Sequence, residues 1–279
     1  MRKRWLAGVA ALFLACILNG CRTQAHTALF SWDPQQVGQT DQKEMDEILS
    51  VYGIDALYQL MDRKNTAGLE RFMAHLAKQG VAVYALAGET EWALPSGADA
   101  MEGELEWLFS LSGSLKNGFS GIVLDVEPYR NERWEKDPRR GMKEYVANMK
   151  RAYESCRQAG LPLLLCIPYY LDEIADPSLL EELFRDACDG VIVMNYDRQD
   201  EQGQISTEAG LARQYGRQLI NAYEFLPAGT HGLAERNTYA NTDREHVESS
   251  KRRLQESYPD IRFAYHSLEA LKKQERSIQ

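Results

Sequence analysis

The chain has 279 residues, 44% hydrophobic and 26% charged, with a formal net charge of −9 at pH 7. That is enough apolar material for one sizeable core and too little uninterrupted apolar sequence for a polytopic membrane protein. The acid excess repels phosphate backbones, which argues against a nucleic-acid partner and suits a neutral or cationic ligand.

In chain order, Arg2, Lys3 and Arg4 form a positive start, followed by an apolar run from Trp5 to Leu18. A span needs about 20 apolar residues, so this run is short for one. Leu18-Asn19-Gly20-Cys21 resembles the lipobox of bacterial lipoproteins, with Asn19 as its departure from the usual pattern. The resemblance implies that residues 1–20 are a signal peptide and that Cys21 carries the lipid. It also implies that 21–27 is a short tether and that the exported protein is held at the extracytoplasmic face of a membrane. An uncleaved anchor helix is the alternative, and the polar stretch beginning at Arg22 speaks against it.

Residues 28–279 show no linker and no low-complexity block. Short apolar runs alternate with longer amphipathic stretches, the signature of a parallel sheet covered by helices. The runs are 28–32, 54–60, 81–87, 121–127, 161–169, 190–196, 230–235 and 261–267. Helical patterns fill 41–52, 66–79, 102–112, 140–159, 177–187, 207–225 and 243–258, with a short one at 268–276. Eight runs in about 250 residues predict a single-domain α/β fold, the (β/α)8 TIM barrel. The seventh run, THGLAE, is the weakest of the eight. A doubly wound open sheet is the competing architecture, but no glycine-rich phosphate loop follows the first run. Cys156, Cys166 and Cys188 have no metal-ligand spacing. Cys166 reads as a buried small hydrophobe, and a Cys156–Cys188 disulfide stays open.

Barrel chemistry sits at the carboxyl ends of the strands. There the sequence places Trp32, Glu89, Trp92, Asp125, Glu127, Tyr129, Tyr169, Asn195, Tyr196, Asp197, Glu235 and His266. Acids and aromatics dominate, as suits carbohydrate: aromatic faces stack on sugar C–H surfaces and carboxylates grip hydroxyls or move protons. Strand alternation turns Asp125 and Glu127 to the same face, where mutual repulsion raises one pKa and keeps an acid protonated. A structural pair held by an arginine is the alternative. Trp32 and Trp92 are sugar platforms or packing residues, and His266 is a base or a structural residue.

Two short stretches carry a more specific resemblance. Asp125 and Glu127 on the fourth run, with Met194, Tyr196 and Asp197 on the sixth, resemble glycoside hydrolase family 18, the chitinase and endo-β-N-acetylglucosaminidase group. The fourth-strand motif of that family has two further aspartates, where this chain has Ser120 and Val123. Its eighth-strand tryptophan is replaced here by Tyr265 and His266. The resemblance implies a (β/α)8 barrel acting on an N-acetylglucosamine-containing glycan, with no metal or organic cofactor. Glu127 is then the proton donor, Asp125 orients the 2-acetamido group, Tyr196 bonds its oxygen, and Asp197 binds substrate or tunes the acid. The acetamido group itself attacks the anomeric carbon, the substrate-assisted form of retaining hydrolysis. Three rivals remain. One is a retaining two-glutamate glycosidase using Glu127 and Glu235, although Val126 stands where that signature has asparagine. Another is a glycan-binding lipoprotein without turnover. The third is a scaffold whose barrel docks another envelope protein.

Overall fold

The computed structural model describes residues 26–278. The signal sequence, Cys21 and nearly all of the expected tether lie outside the described residues. Eight parallel strands close into a barrel in sequence order: β1 (Thr27–Ser31), β2 (Ala56–Leu60), β3 (Ala82–Ala87), β4 (Gly121–Leu124), β5 (Leu163–Pro168), β6 (Gly190–Met194), β7 (Gln218–Glu224) and β8 (Arg262–His266). The helices are α1 (Lys43–Val51), α2 (Leu69–Lys78), α3 (Ala98–Ser114), α4 (Glu132–Lys136), α5 (Pro138–Ala159), α6 (Leu171–Ile174), α7 (Pro177–Asp186), α8 (Ser206–Tyr215), α9 (Arg244–Ser257) and α10 (Leu268–Ile278). The (β/α)8 barrel expected from the sequence is the fold.

One strand lies elsewhere than expected. The stretch 230–235 holds short 3-10 turns, and β7 is formed by QLINAYE, inside what reads as one long helix over 207–225. The helix stops early because Gly216 takes the left-handed conformation at its carboxyl end (φ 63°), which an L side chain resists. Beyond it, Leu219 to Phe225 are buried without interruption, as a strand covered on both faces requires.

Helix boundaries follow local chemistry. Asp137 caps α5 by accepting from the Arg140 N–H, Pro138 fills the first helical position, and Gly160 ends the helix. Asp176 and Asp243 cap α7 and α9 in the same way.

Strand alternation divides the core in two. Phe30, Tyr58, Leu86, Val123, Leu164, Cys166, Ile192, Ile220 and Ala264 fill the barrel interior. Their neighbours Leu29, Leu57, Ile122, Leu165, Val193, Tyr223 and Phe263 pack outward beneath the helices. Phe30, Tyr58 and Tyr84 meet edge to face at 5.1 and 5.4 Å, so the interior is a filled plug. Cys156, Cys166 and Cys188 are all buried free thiols, so the 156–188 disulfide left open by the sequence is not formed.

Candidate active site

The inward phase of the strands, continued two residues at a time past their carboxyl ends, selects the side chains above the plug. From β1 it takes Phe30 and then Trp32; after β4, Asp125 and Glu127; from β5, Cys166; from β6, Met194 and then Tyr196; from β7, Glu224; from β8, His266. All of these line one cavity of about 820 Å3. Glu89, Tyr129, Arg130, Tyr169, Tyr170 and Asn237 complete much of its wall. Gly88 lets the end of β3 lie against β4, since a Cβ there would stand 2.0 Å from the Asp125 carbonyl oxygen.

Asp125 sits on the floor. Its Oδ1 is buried and makes no hydrogen bond among the described residues. Burial first, and then the charge of Glu127, push its pKa up to about 7, partly offset by His266 and Arg130. Glu127 stands higher in the wall, with both oxygens engaged: Tyr129 Oη donates to Oε1 at 2.5 Å and Arg130 donates to Oε2 at 2.7 Å. The Arg130 guanidinium is exposed on the rim, so this ion pair is open to water on one side. Burial, aided by the Glu127 charge, drives the Tyr129 hydroxyl well above its ordinary value, so it acts as a donor.

Tyr196 completes the group from β6. Its phenol makes no hydrogen bond to another described residue. Burial raises its pKa, and the charges of Glu224, Asp125 and Glu127 add to that rise. A half-buried, protonated hydroxyl without a partner among the described residues is a donor available to a ligand. The Cys166 thiol beside Asp125 is raised in the same way and stays protonated.

Of the residues expected at the site, Trp32, Glu89, Asp125, Glu127, Tyr129, Tyr169, Tyr196 and His266 share the cavity. Four lie elsewhere. Asn195 and Asp197 have the opposite phase to Tyr196 and turn away from the barrel axis. Asn195 is buried and donates to the Glu201 carbonyl and to Asn221 Oδ1, each at 2.8 Å. Asp197 accepts from the Gln199 N–H at 3.0 Å and lies 3.5 Å from Arg236, so it staples the loop after β6 to the loop after β7. Trp92 is a core residue within a 3-10 turn. Glu235 is exposed on a turn; its carbonyl accepts from Arg198 and its carboxylate is near Asn241.

The sequence missed Glu224 and Arg130, and it offered Asn237 only as a neighbour of Glu235 at a strand end. Glu224 was hidden by the misplaced seventh strand, although the Gly216 stop followed by an apolar run marks where β7 begins. Arg130 follows Glu127 by three residues, and its contact depends on the 3-10 turn that Pro128 starts. Asn237 reaches the Tyr196 carbonyl across 41 residues, which nothing local reveals.

No family profile matches this chain, and no curated protein resembles it in sequence. Solved structures do share its fold. A GH18 chitinase from Pseudoalteromonas aurantia superimposes with a TM-score of 0.57 at 11% identity, over 91% of this chain and 98% of that one. A chitinase from Chromobacterium violaceum gives 0.56 at 12% identity, over 90% and 98%. The glycoside hydrolase domain of PgaB (BpsB) from Bordetella bronchiseptica gives 0.51 at 12% identity, over 89% and 98%. At these identities the likeness is one of fold: this chain is a (β/α)8 barrel of the kind found in GH18 chitinases and related glycoside hydrolases.

Proposed function

We propose that the protein is a membrane-anchored glycoside hydrolase that cleaves N-acetylglucosamine-containing glycans by substrate-assisted retaining hydrolysis. The observation that carries this is the convergence of Asp125, Glu127 and an unpartnered Tyr196 hydroxyl on one cavity at the carboxyl end of the barrel. In this scheme the Tyr196 hydroxyl and Asp125 hold the 2-acetamido group beneath the anomeric carbon. The acetamido oxygen attacks that carbon as the glycosidic C–O bond breaks, and Glu127 gives its proton to the departing oxygen. Water then opens the oxazolinium intermediate and returns a proton to Glu127, so the anomeric configuration is retained. Trp32, Tyr169 and Glu89 supply sugar contacts around the reacting ring. Residues 1–20 and Cys21 supply export and the anchor.

One observation favours a second scheme. Glu224 stands at the carboxyl end of β7, where a two-glutamate retaining glycosidase carries its nucleophile, and Glu235 does not. The Glu224 carboxylate is already engaged, accepting from two backbone amides and facing His266, so it is less free to attack than Asp125 is to hold an amide.

The test is a comparison of N-acetylchitotetraose with cellotetraose, following the first-formed anomer by proton NMR. Cleavage of the acetylated oligosaccharide alone, with retained β configuration and inhibition by an N-acetylglucosamine thiazoline, is the expected result. Equal cleavage of cellotetraose, or a glycosyl ester trapped on Glu224, transfers the assignment to the two-glutamate scheme.

A further inference from the structure

A line of hydrogen bonds crosses the seam where β7, β8 and β1 meet, and the chemistry proposed above makes no use of it. The Phe225 and Leu226 N–H groups donate to Glu224 Oε1 at 2.8 and 2.7 Å. His266 Nδ1 lies 3.1 and 3.0 Å from the two Glu224 oxygens. Trp32 Nε1 lies 2.8 Å from His266 Nε2. An indole N–H can only donate, so Nε2 must keep its lone pair and the imidazole proton must sit on Nδ1, facing Glu224. The Trp32 backbone N–H is tied as well, to Glu269 Oε1 of α10 at 3.1 Å, and the indole lies nearly parallel to Phe30, at 7°. The indole is thus fixed at its edge, its backbone and one neighbouring ring, while still lining the cavity.

Two demands on His266 conflict. Glu224 faces it from β7, Asp125 from the end of β4 and Glu269 from α10, with Trp32, Phe30 and Tyr196 as its aromatic neighbours. Burial opposes a charged imidazole. The hydrogen bond and charge of Glu224, then the charges of Asp125 and Glu269, outweigh burial and raise its pKa above the ordinary value. A second proton can only go to Nε2, where it turns an acceptor into a donor aimed at the indole donor.

We infer that Glu224 and His266 are positioning residues that hold Trp32 as a carbohydrate platform, and that uptake of a second proton by His266 releases the indole. The identity of the ligand rests on the glycan assignment above; the hydrogen-bond switch does not.

The switch is read without ligand from the imidazole nitrogen shifts of the five histidines in 15N-labelled wild-type protein. His266 is expected to show a protonated Nδ1 and a bare Nε2 at alkaline pH, then a titration with its midpoint above 6.5. Tryptophan emission should drop through the same midpoint, because imidazolium quenches indole more strongly than imidazole does. That step should vanish in Trp32→Phe and in His266→Gln. In Glu224→Gln, which keeps an acceptor oxygen but loses the charge, it should move to lower pH by about one unit. Affinity for N-acetylchitotetraose should be roughly tenfold weaker below the midpoint, the order expected for one lost aromatic contact. An Nε2-protonated neutral tautomer, or an unchanged midpoint in Glu224→Gln, overturns the switch. Equal affinity on both sides of the midpoint, or no binding at either pH, overturns the platform role even where the titration behaves as expected.

Discussion

Asp125 and Glu127 are two residues apart, yet their surroundings divide their roles. Asp125 has a buried oxygen with no partner among the described residues, while both oxygens of Glu127 meet donors from the turn that follows it. An unpartnered buried acceptor is costly unless a ligand fills it, and an amide N–H from an acetamido group is a ligand of the right kind. Changing Asp125 to Asn should therefore lower turnover of N-acetylchitotetraose by roughly 10²–10⁴-fold, the range for a positioned electrostatic or acid–base group. Changing Glu235 to Gln, on its exposed turn, should leave turnover within about twofold. Steady-state rates on the two purified variants check both, and a reversed ranking contradicts the placement of the site. The Asp125–Glu127 pairing was legible because alternation past the end of an apolar run fixes which side chains point inward. Tyr196 was legible on the same ground. That rule also turns Asn195 and Asp197 outward, and a motif read as a contiguous unit obscures this.

At the scale of elements, seven strands could be read from apolar runs bounded by turn residues. The seventh could not, because QLINAYE continues the apolar spacing of α8 closely enough to pass for one helix, and only the left-handed Gly216 separates them. Loop contacts were not readable at all. The staple from Asp197 to Arg236 and the bond from Asn237 to the Tyr196 carbonyl join segments about 40 residues apart. α8 also carries a feature with a measurable consequence. Glu208, in its first turn, is fully buried, and neither carboxylate oxygen has a partner in another described residue. A helix amino terminus favours an anion, but burial outweighs that preference and pushes the Glu208 pKa up to about 8. The folded state therefore holds this proton more tightly than the unfolded chain, whose glutamates titrate near 4.5. The stabilisation is fully present below about pH 4.5 and is lost as pH rises through about 8. Glu208→Gln should flatten this dependence, so that its melting temperature relative to the wild type rises between pH 5 and pH 9. Thermal melts of both proteins across that range provide the check; parallel curves would mean that Glu208 is ionised and paired.

For the whole molecule, the barrel closes with its cavity at the carboxyl ends of the strands, while the chain enters at the opposite, amino-terminal end of β1, only six residues after Cys21. On the reading proposed above, the segment that carries the lipid joins the barrel at the face opposite the cavity. Cys21→Ser should move the protein from the membrane fraction to the soluble extracytoplasmic fraction or leave it unprocessed. Fractionation after a salt wash reads this directly, and a variant that stays bound like the parent contradicts the lipid anchor. Whether such a molecule is an enzyme or a receptor depends on one proton. Glu127→Gln keeps the size of the side chain and one of its two acceptor oxygens, and removes the proton it can transfer. The decisive measurement is therefore N-acetylchitotetraose hydrolysis and binding by the wild type and by Glu127→Gln under the same conditions. Turnover is predicted to collapse by at least about 10²-fold while affinity stays within a few-fold, because the loss falls on the transition state. A wild type that binds the oligosaccharide without cleaving it, matched by an indistinguishable Gln variant, would contradict the enzyme assignment and make the barrel a glycan receptor.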